Sequence, residues 1–288
     1  MTAIVALLWL AVAPDAALPA VAPPPRPALV VTVPPKGYPA KYTKYVNANG
    51  FPVLGSARVN DFALLEAGYL INQMLATRPD VRAALIASTC RFVVMAPDEF
   101  TTDVPEHADL TPKEYWNRRA RGLGATPSRP AVSCGEENLL NLRGDPYATE
   151  NILVHEFAHA IHIMGLNRVD RTFDKKLKTI YDRAIADGLW EGKYASRNRQ
   201  EYWAEAVQSY FDTNRPPDHD HNEVRTRDGL KKYDPRIFEL VDETFRATDW
   251  RYKKPADRAQ PGHMAGYNSK DAKRFKWPAD LANKLPKN

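Results

Sequence analysis

The chain has 288 residues, 44% of them apolar and 26% charged, a balance that excludes a wholly disordered, collagen-like or multi-span membrane protein. At roughly 150 residues per domain this length admits one or two domains with a hydrophobic core. Residues 251–288 hold ten Lys and Arg against three Asp and Glu, a net of +7 in a chain whose total is +5, so the rest sums to −2 and no nucleic-acid-binding face is expected.

Nine of the 24 prolines fall in the first 39 residues. Residues 3–13 form an uncharged apolar run, too short to span a bilayer but of signal-peptide length. Residues 1–22 are therefore read as a signal peptide and the protein as secreted or extracytoplasmic, with no membrane span. Residues 23–40 read as a Pro-rich linker or propeptide. In an exported chain the two cysteines, Cys90 and Cys134, are expected to form one disulfide.

Asp61 caps a helix expected over 61–77, with Phe62, Leu65 and Tyr69 on one stripe. A short helix over 81–87 precedes a strand over 91–96 that Pro97 ends. A helix over 112–121 stops at Gly122, and short strands follow over 131–142. The part 137–142 is the expected edge for an extended peptide, with Glu136 and Glu137 solvated beside it. Helices are expected over 147–164, stopped by Gly165, then over 170–187, stopped by Gly188, and over 199–212 and 235–246. Strands early and helices late give an α+β layout, with one domain over 41–250. The basic tail, 251–288, either wraps that domain through Tyr267, Phe275 and Trp277 or extends from it, and its charge suits contact with an anionic surface.

The chemistry lies in the helix over 147–164, which carries His155-Glu156-Phe157-Ala158-His159. Residues four apart on a helix differ by about 40° around the axis and one turn along it, so both imidazoles can share one ion. Glu156 lies on the flank of that face, in reach of a metal-activated water, as the general base of the His-Glu-x-x-His pattern. A catalytic zinc needs three protein ligands and an open position. Glu201 and Glu205, again four apart in the helix over 199–212, supply the third: one to bind the ion, the other to accept the N–H of a ligating histidine. His162 is read as structural, and Asp218-His219-Asp220-His221 as a polar loop lip.

The motif, the helical connection, and Tyr194 seven residues before Glu201 in Tyr-x-x-x-x-x-x-Glu-x-x-x-Glu resemble the gluzincin metallopeptidases, especially the anthrax lethal factor catalytic domain and Pro-Pro endopeptidase group. The resemblance covers about residues 150–212. It implies a zincin-like fold, a small N-terminal sheet with an active-site helix and a helical C-terminal half, and one zinc ion held by His155, His159 and Glu201. It also implies Glu205 behind the ligands, Tyr194 as the partner of the developing oxyanion, and hydrolysis of peptide or protein substrates by an endopeptidase. Two alternatives stay open: an aminopeptidase of the same clan, and a zinc-containing surface-binding module without turnover.

Overall fold

A computed structural model describes residues 28–259 and 262–282. The signal-peptide reading of 1–22 lies outside the described residues. The chain begins with β1 (Val31–Thr32), β2 (Lys44–Ala48) and β3 (Phe51–Gly55), followed by α1 (Asp61–Met74), α2 (Pro79–Ala87) and β4 (Arg91–Met95). Then come α3 (Lys113–Arg119), β5 (Gly122–Leu123), β6 (Ala131–Gly135) and α4 (Glu136–Leu139). The second half is helical: α5 (Ile152–Ala160), a π-helical segment Ile161–Leu166, α6 (Asn167–Val169), α7 (Phe173–Ala186), α8 (Arg199–Tyr210), α9 (Arg227–Tyr233), α10 (Pro235–Thr244) and α11 (Ala279–Ala282). The α+β layout is thus present, with a small sheet and several helices. No helix among the described residues is long and apolar enough to cross a membrane.

The sheet order is β1-β2-β3-β4-β6-β5. β3, β4 and β6 run parallel, while β1, β2 and β5 are each antiparallel to a neighbour. β1 falls within the segment read as linker and pairs Val31 with Val46. β2 and β3 join through Asn49 and Gly50, both at positive φ (53° and 88°), the conformation a two-residue hairpin demands and Asn-Gly accepts. β5 is the outer strand beside β6, and short strands of this kind leave main-chain donors and acceptors unpaired on their open side.

Several sequence expectations change. Residues 137–142 are no strand: α4 starts at Glu136, and Asn138 becomes a hub. Its amide nitrogen donates to Asp145 Oδ2, Tyr147 O and Glu150 O (3.0 Å each), while its oxygen accepts from Ile152 N at 2.8 Å. The site helix starts at Ile152, capped by the Asn151 side chain accepting from Val154 N. Gly165 does not stop it. A Cβ there would lie 2.7 Å from Val81 Cγ1, so this glycine permits close packing on α2 while the helical path runs on to Val169. Asn60, not Asp61, caps α1.

Glu136 is buried rather than solvated, and so is Glu137. Glu137 and Arg121 form an ion pair with both side chains 0% exposed. Arg121 donates to Glu137 Oε1 (2.5 Å) and Oε2 (3.0 Å) and to the carbonyls of Ala96 and Glu99, and the rings of Phe100 and Phe275 lie 5.2 and 4.8 Å from its guanidinium carbon. Paired and hydrogen-bonded in this way, the buried charges avoid the cost that isolation would carry.

The expected disulfide is absent: Cys90 and Cys134 are both free and buried. The parallel register explains why. Cys134 lies opposite Val94, four residues beyond Cys90, and at about 3.3 Å per residue that is roughly 13 Å along the strands, well past the roughly 7 Å Cα separation that a disulfide tolerates. Burial raises both thiols, Cys90 to about 12, so neither is a nucleophile.

The tail wraps the body. Arg258 reaches the fully buried Glu66 of α1 with Nη2 at 2.6 Å and Nη1 at 2.7 Å, and His263 Nε2 joins them at 2.6 Å. Further on, Tyr267 packs on Phe62, Phe275 is buried, and Trp277 stacks on Phe100 and lies 4.4 Å from the Arg118 guanidinium.

Candidate metal centre

Two helices supply the centre. The back of α5 inserts Phe157 between Phe51 and Phe92 of the sheet, ring centroids 5.4 and 6.5 Å away. That anchors the helix and turns His155 and His159 the other way. α8 is pinned to α5 by Trp203 Nε1 donating to Ala158 O at 2.9 Å, and it starts at Asn198, whose side chain accepts from Gln200 N and Glu201 N. Glu201 therefore sits in a first turn, with its carboxylate against the two imidazoles.

The three candidate ligand atoms form a nearly equilateral triangle. His155 Nε2 lies 3.1 Å from Glu201 Oε2, His159 Nε2 lies 3.2 Å from the same oxygen, and the two Nε2 atoms are 3.2 Å apart. Tetrahedral zinc ligands at about 2.0–2.1 Å would stand about 3.3 Å from one another, so this triangle fits one such ion. The histidine tautomer fits too. Gln208 Nε2 donates to Glu150 Oε2 and Asn151 O, which turns its oxygen to His155 Nδ1 at 2.7 Å. Nδ1 must then donate, leaving the Nε2 lone pair facing the triangle. Burial disfavours the His155 imidazolium, but the Glu201 hydrogen bond and the charges of Glu156, Glu201 and Glu205 favour positive charge there and raise the group to about 10. Burial disfavours the Glu201 carboxylate, and the two histidines more than compensate, holding it below the ordinary carboxylate range. The pocket thus favours positive charge among carboxylates.

Gln208, not Glu205, is the near partner of His155 Nδ1: Glu205 Oε1 stands 3.6 Å away. Glu205 instead accepts from Asn214 Nδ2 at 2.9 Å and faces His221 Nε2 at 3.5 Å. It holds the loop following α8 against the centre. That loop does more than form a lip, since Asp220 O accepts from Tyr194 N at 2.7 Å and the His221 ring stacks near Tyr194. His162 is structural: its Nε2 meets Asp174 Oδ1 at 3.1 Å behind the centre.

A cavity of about 450 Å³ reaches this cluster at His155 and is lined also by Glu156 and Tyr194 among others. Burial raises the Glu156 carboxyl above its usual value, with His155 and His159 opposing. Tyr194 rises by burial and by the charges of Glu201 and Glu156, so it stays a phenol that donates. β5 borders the same cavity through Gly122, where a Cβ would lie 2.5 Å from Ile152 Cγ2 and 2.9 Å from Ser133 O; at Gly124 it would lie 2.8 Å from His159 Cβ. Only glycine lets this strand approach the metal helix so closely.

Fold and site together define an α+β protein with a His-His-Glu cluster that could hold a metal ion beside a cleft. No family model and no curated protein matches the sequence. Among solved structures, the chain is similar to the Pro-Pro endopeptidase PPEP-2 from Paenibacillus alvei, with 18% identity and a TM-score of 0.46 over 67% of this chain and 96% of that one.

Proposed function

We propose that the protein is a zinc metalloendopeptidase of zincin-like fold, acting on peptide or protein substrates outside the cytoplasm. The observation that carries this reading is the triangle of His155, His159 and Glu201, of which His155 lines one cavity together with Glu156 and Tyr194. A zinc ion held there would supply Lewis acidity toward a peptide carbonyl and lower the pKa of a coordinated water from about 15.7 to about 7.

The chain's own residues do the rest. Glu156, next to His155 and on the cavity wall, accepts a proton from the attacking water and delivers it to the leaving amine, work worth typically 10² to 10⁴ in rate. Tyr194 donates its hydroxyl to the oxygen on which negative charge develops. Gln208 fixes the orientation of His155. The open side of β5 pairs with an extended substrate and sets its carbonyl oxygen toward Tyr194, with the water's path beside Glu156.

The test is cleavage of a peptide library by protein carrying one equivalent of zinc. Internal cleavage of both acetylated and free peptides, lost with chelator and restored by zinc, is the expected result. Cleavage confined to free N-termini would make it an aminopeptidase, and stoichiometric zinc without any cleavage would make it a binding module.

A further inference from the structure

Four arginines line the cavity: Arg119, Arg121, Arg197 and Arg215. Three are neutralised within the fold. Arg121 is paired with Glu137, Arg197 Nη2 meets Asp220 Oδ1 at 3.3 Å, and Arg215 reaches Glu150 at 3.1 Å and Asp218 at 3.2 Å. Arg119 has no carboxylate within ion-pairing distance among the described residues. Its guanidinium carbon lies 5.6 Å from the Trp116 ring centroid, a contact that holds the side chain without cancelling its charge.

Arg119 is also set in place. It ends α3, three residues before Gly122 of β5. Beside it, the Asn117 side chain accepts from Thr102 N at 2.8 Å, and Ala120 O accepts from Thr101 Oγ1 at 3.1 Å. Its own carbonyl accepts from Tyr147 Oη at 3.3 Å.

A half-buried guanidinium at the mouth of an edge strand, left without an anion, suits a bidentate carboxylate. We propose that Arg119 is the cleft's receptor for a substrate carboxylate, so that the protein prefers peptides with an acidic group beside the scissile bond. The inference rests on the peptidase reading. The carboxylate comes from an Asp or Glu side chain or from a substrate C-terminus, and the test separates the two.

Paired peptides carrying Glu or Gln at each position flanking the cleaved bond, and short peptides with free or amidated C-termini, are compared by kcat/KM. The zinc-loaded protein is expected to favour one acidic position, or the free C-terminus, at least about tenfold, as charge-assisted pairing allows. Rising salt should shrink that ratio. Arg119→Gln should bring it near one, and Arg119→Lys should keep part of it, with zinc content and melting temperature reporting that each variant is folded. A ratio near one in the unmodified protein, or a tenfold ratio surviving in Arg119→Gln, overturns the inference and leaves the peptidase reading standing. If no peptide is cleaved, the peptidase reading falls. The receptor is then judged by fluorescence anisotropy of the same pairs, where tenfold tighter binding of the acidic member supports it and equal binding overturns it.

Discussion

The cleft has two walls made by different physical means. The α5–α8 wall is built on helical periodicity: His155 and His159 repeat at one turn, and Glu201, Glu205 and Gln208 share a stripe on the facing helix. The α3–β5 wall is built on close approach, with Gly122 and Gly124 in contact with α5 and Arg119 poised beside a strand of two residues. On the proposed reading the first wall holds a metal through local geometry. On the same reading the second positions a substrate through packing that only the folded chain creates, so damage to the first should abolish metal or chemistry and damage to the second should act on substrate affinity.

The largest effect expected on the helical wall comes from Glu201→Ala, which removes one corner of the triangle and should leave the protein without stoichiometric zinc. Glu205→Ala should retain more zinc, because Gln208 is the nearer partner of His155. Metal analysis after dialysis checks the order, and greater loss in Glu205→Ala would exchange the roles. Tyr194→Phe should lower kcat about 10²-fold with zinc content unchanged; equal kinetics would remove Tyr194 from the mechanism.

Gly122→Ala probes the other wall. Its Cβ would meet Ile152 Cγ2 at 2.5 Å and Ser133 O at 2.9 Å, so stability should fall by about 1–3 kcal/mol and KM should rise more than kcat falls. A variant as stable and as tight as the parent would show that β5 does not set the cleft.

The smallest effect at neutral pH concerns His162, on the same helical path as the ligands but behind the centre. Burial lowers it from 6.5 to about 4 despite Asp174. The unfolded chain therefore binds more protons between those two values, and stability falls as pH drops from 6.5 to 4, by at most about 3 kcal/mol from this group. In urea titrations the stability gap between the parent and His162→Phe should shift toward the variant over that window. A gap independent of pH would contradict the assignment.

How much was legible in the sequence follows the same division. The helices α5 and α8 and the pairs His155/His159 and Glu201/Glu205 could be read because a period of 3.6 fixes which side chains coincide, whereas Glu201 rather than Glu205 beside the histidines was implied only by the resemblance. Gln208 obeys the same rule, seven residues after Glu201 on its stripe, and Asn49-Gly50 marks the β2–β3 hairpin. β5 carries too few residues to show any period. The cysteine pairing failed because strand register, not separation in sequence, sets the distance between Cys90 and Cys134. Gly165 reads as a helix stop only until Val81 is known to pack on it.

The central claim is that one zinc ion at His155, His159 and Glu201 serves a hydrolysis in which Glu156 moves the proton. It is tested most directly by measuring zinc content and peptide cleavage together in Glu156→Gln. The account predicts one equivalent of zinc, as in the parent, with cleavage reduced at least about 10²-fold. Cleavage near the parent's rate at full zinc occupancy would contradict it.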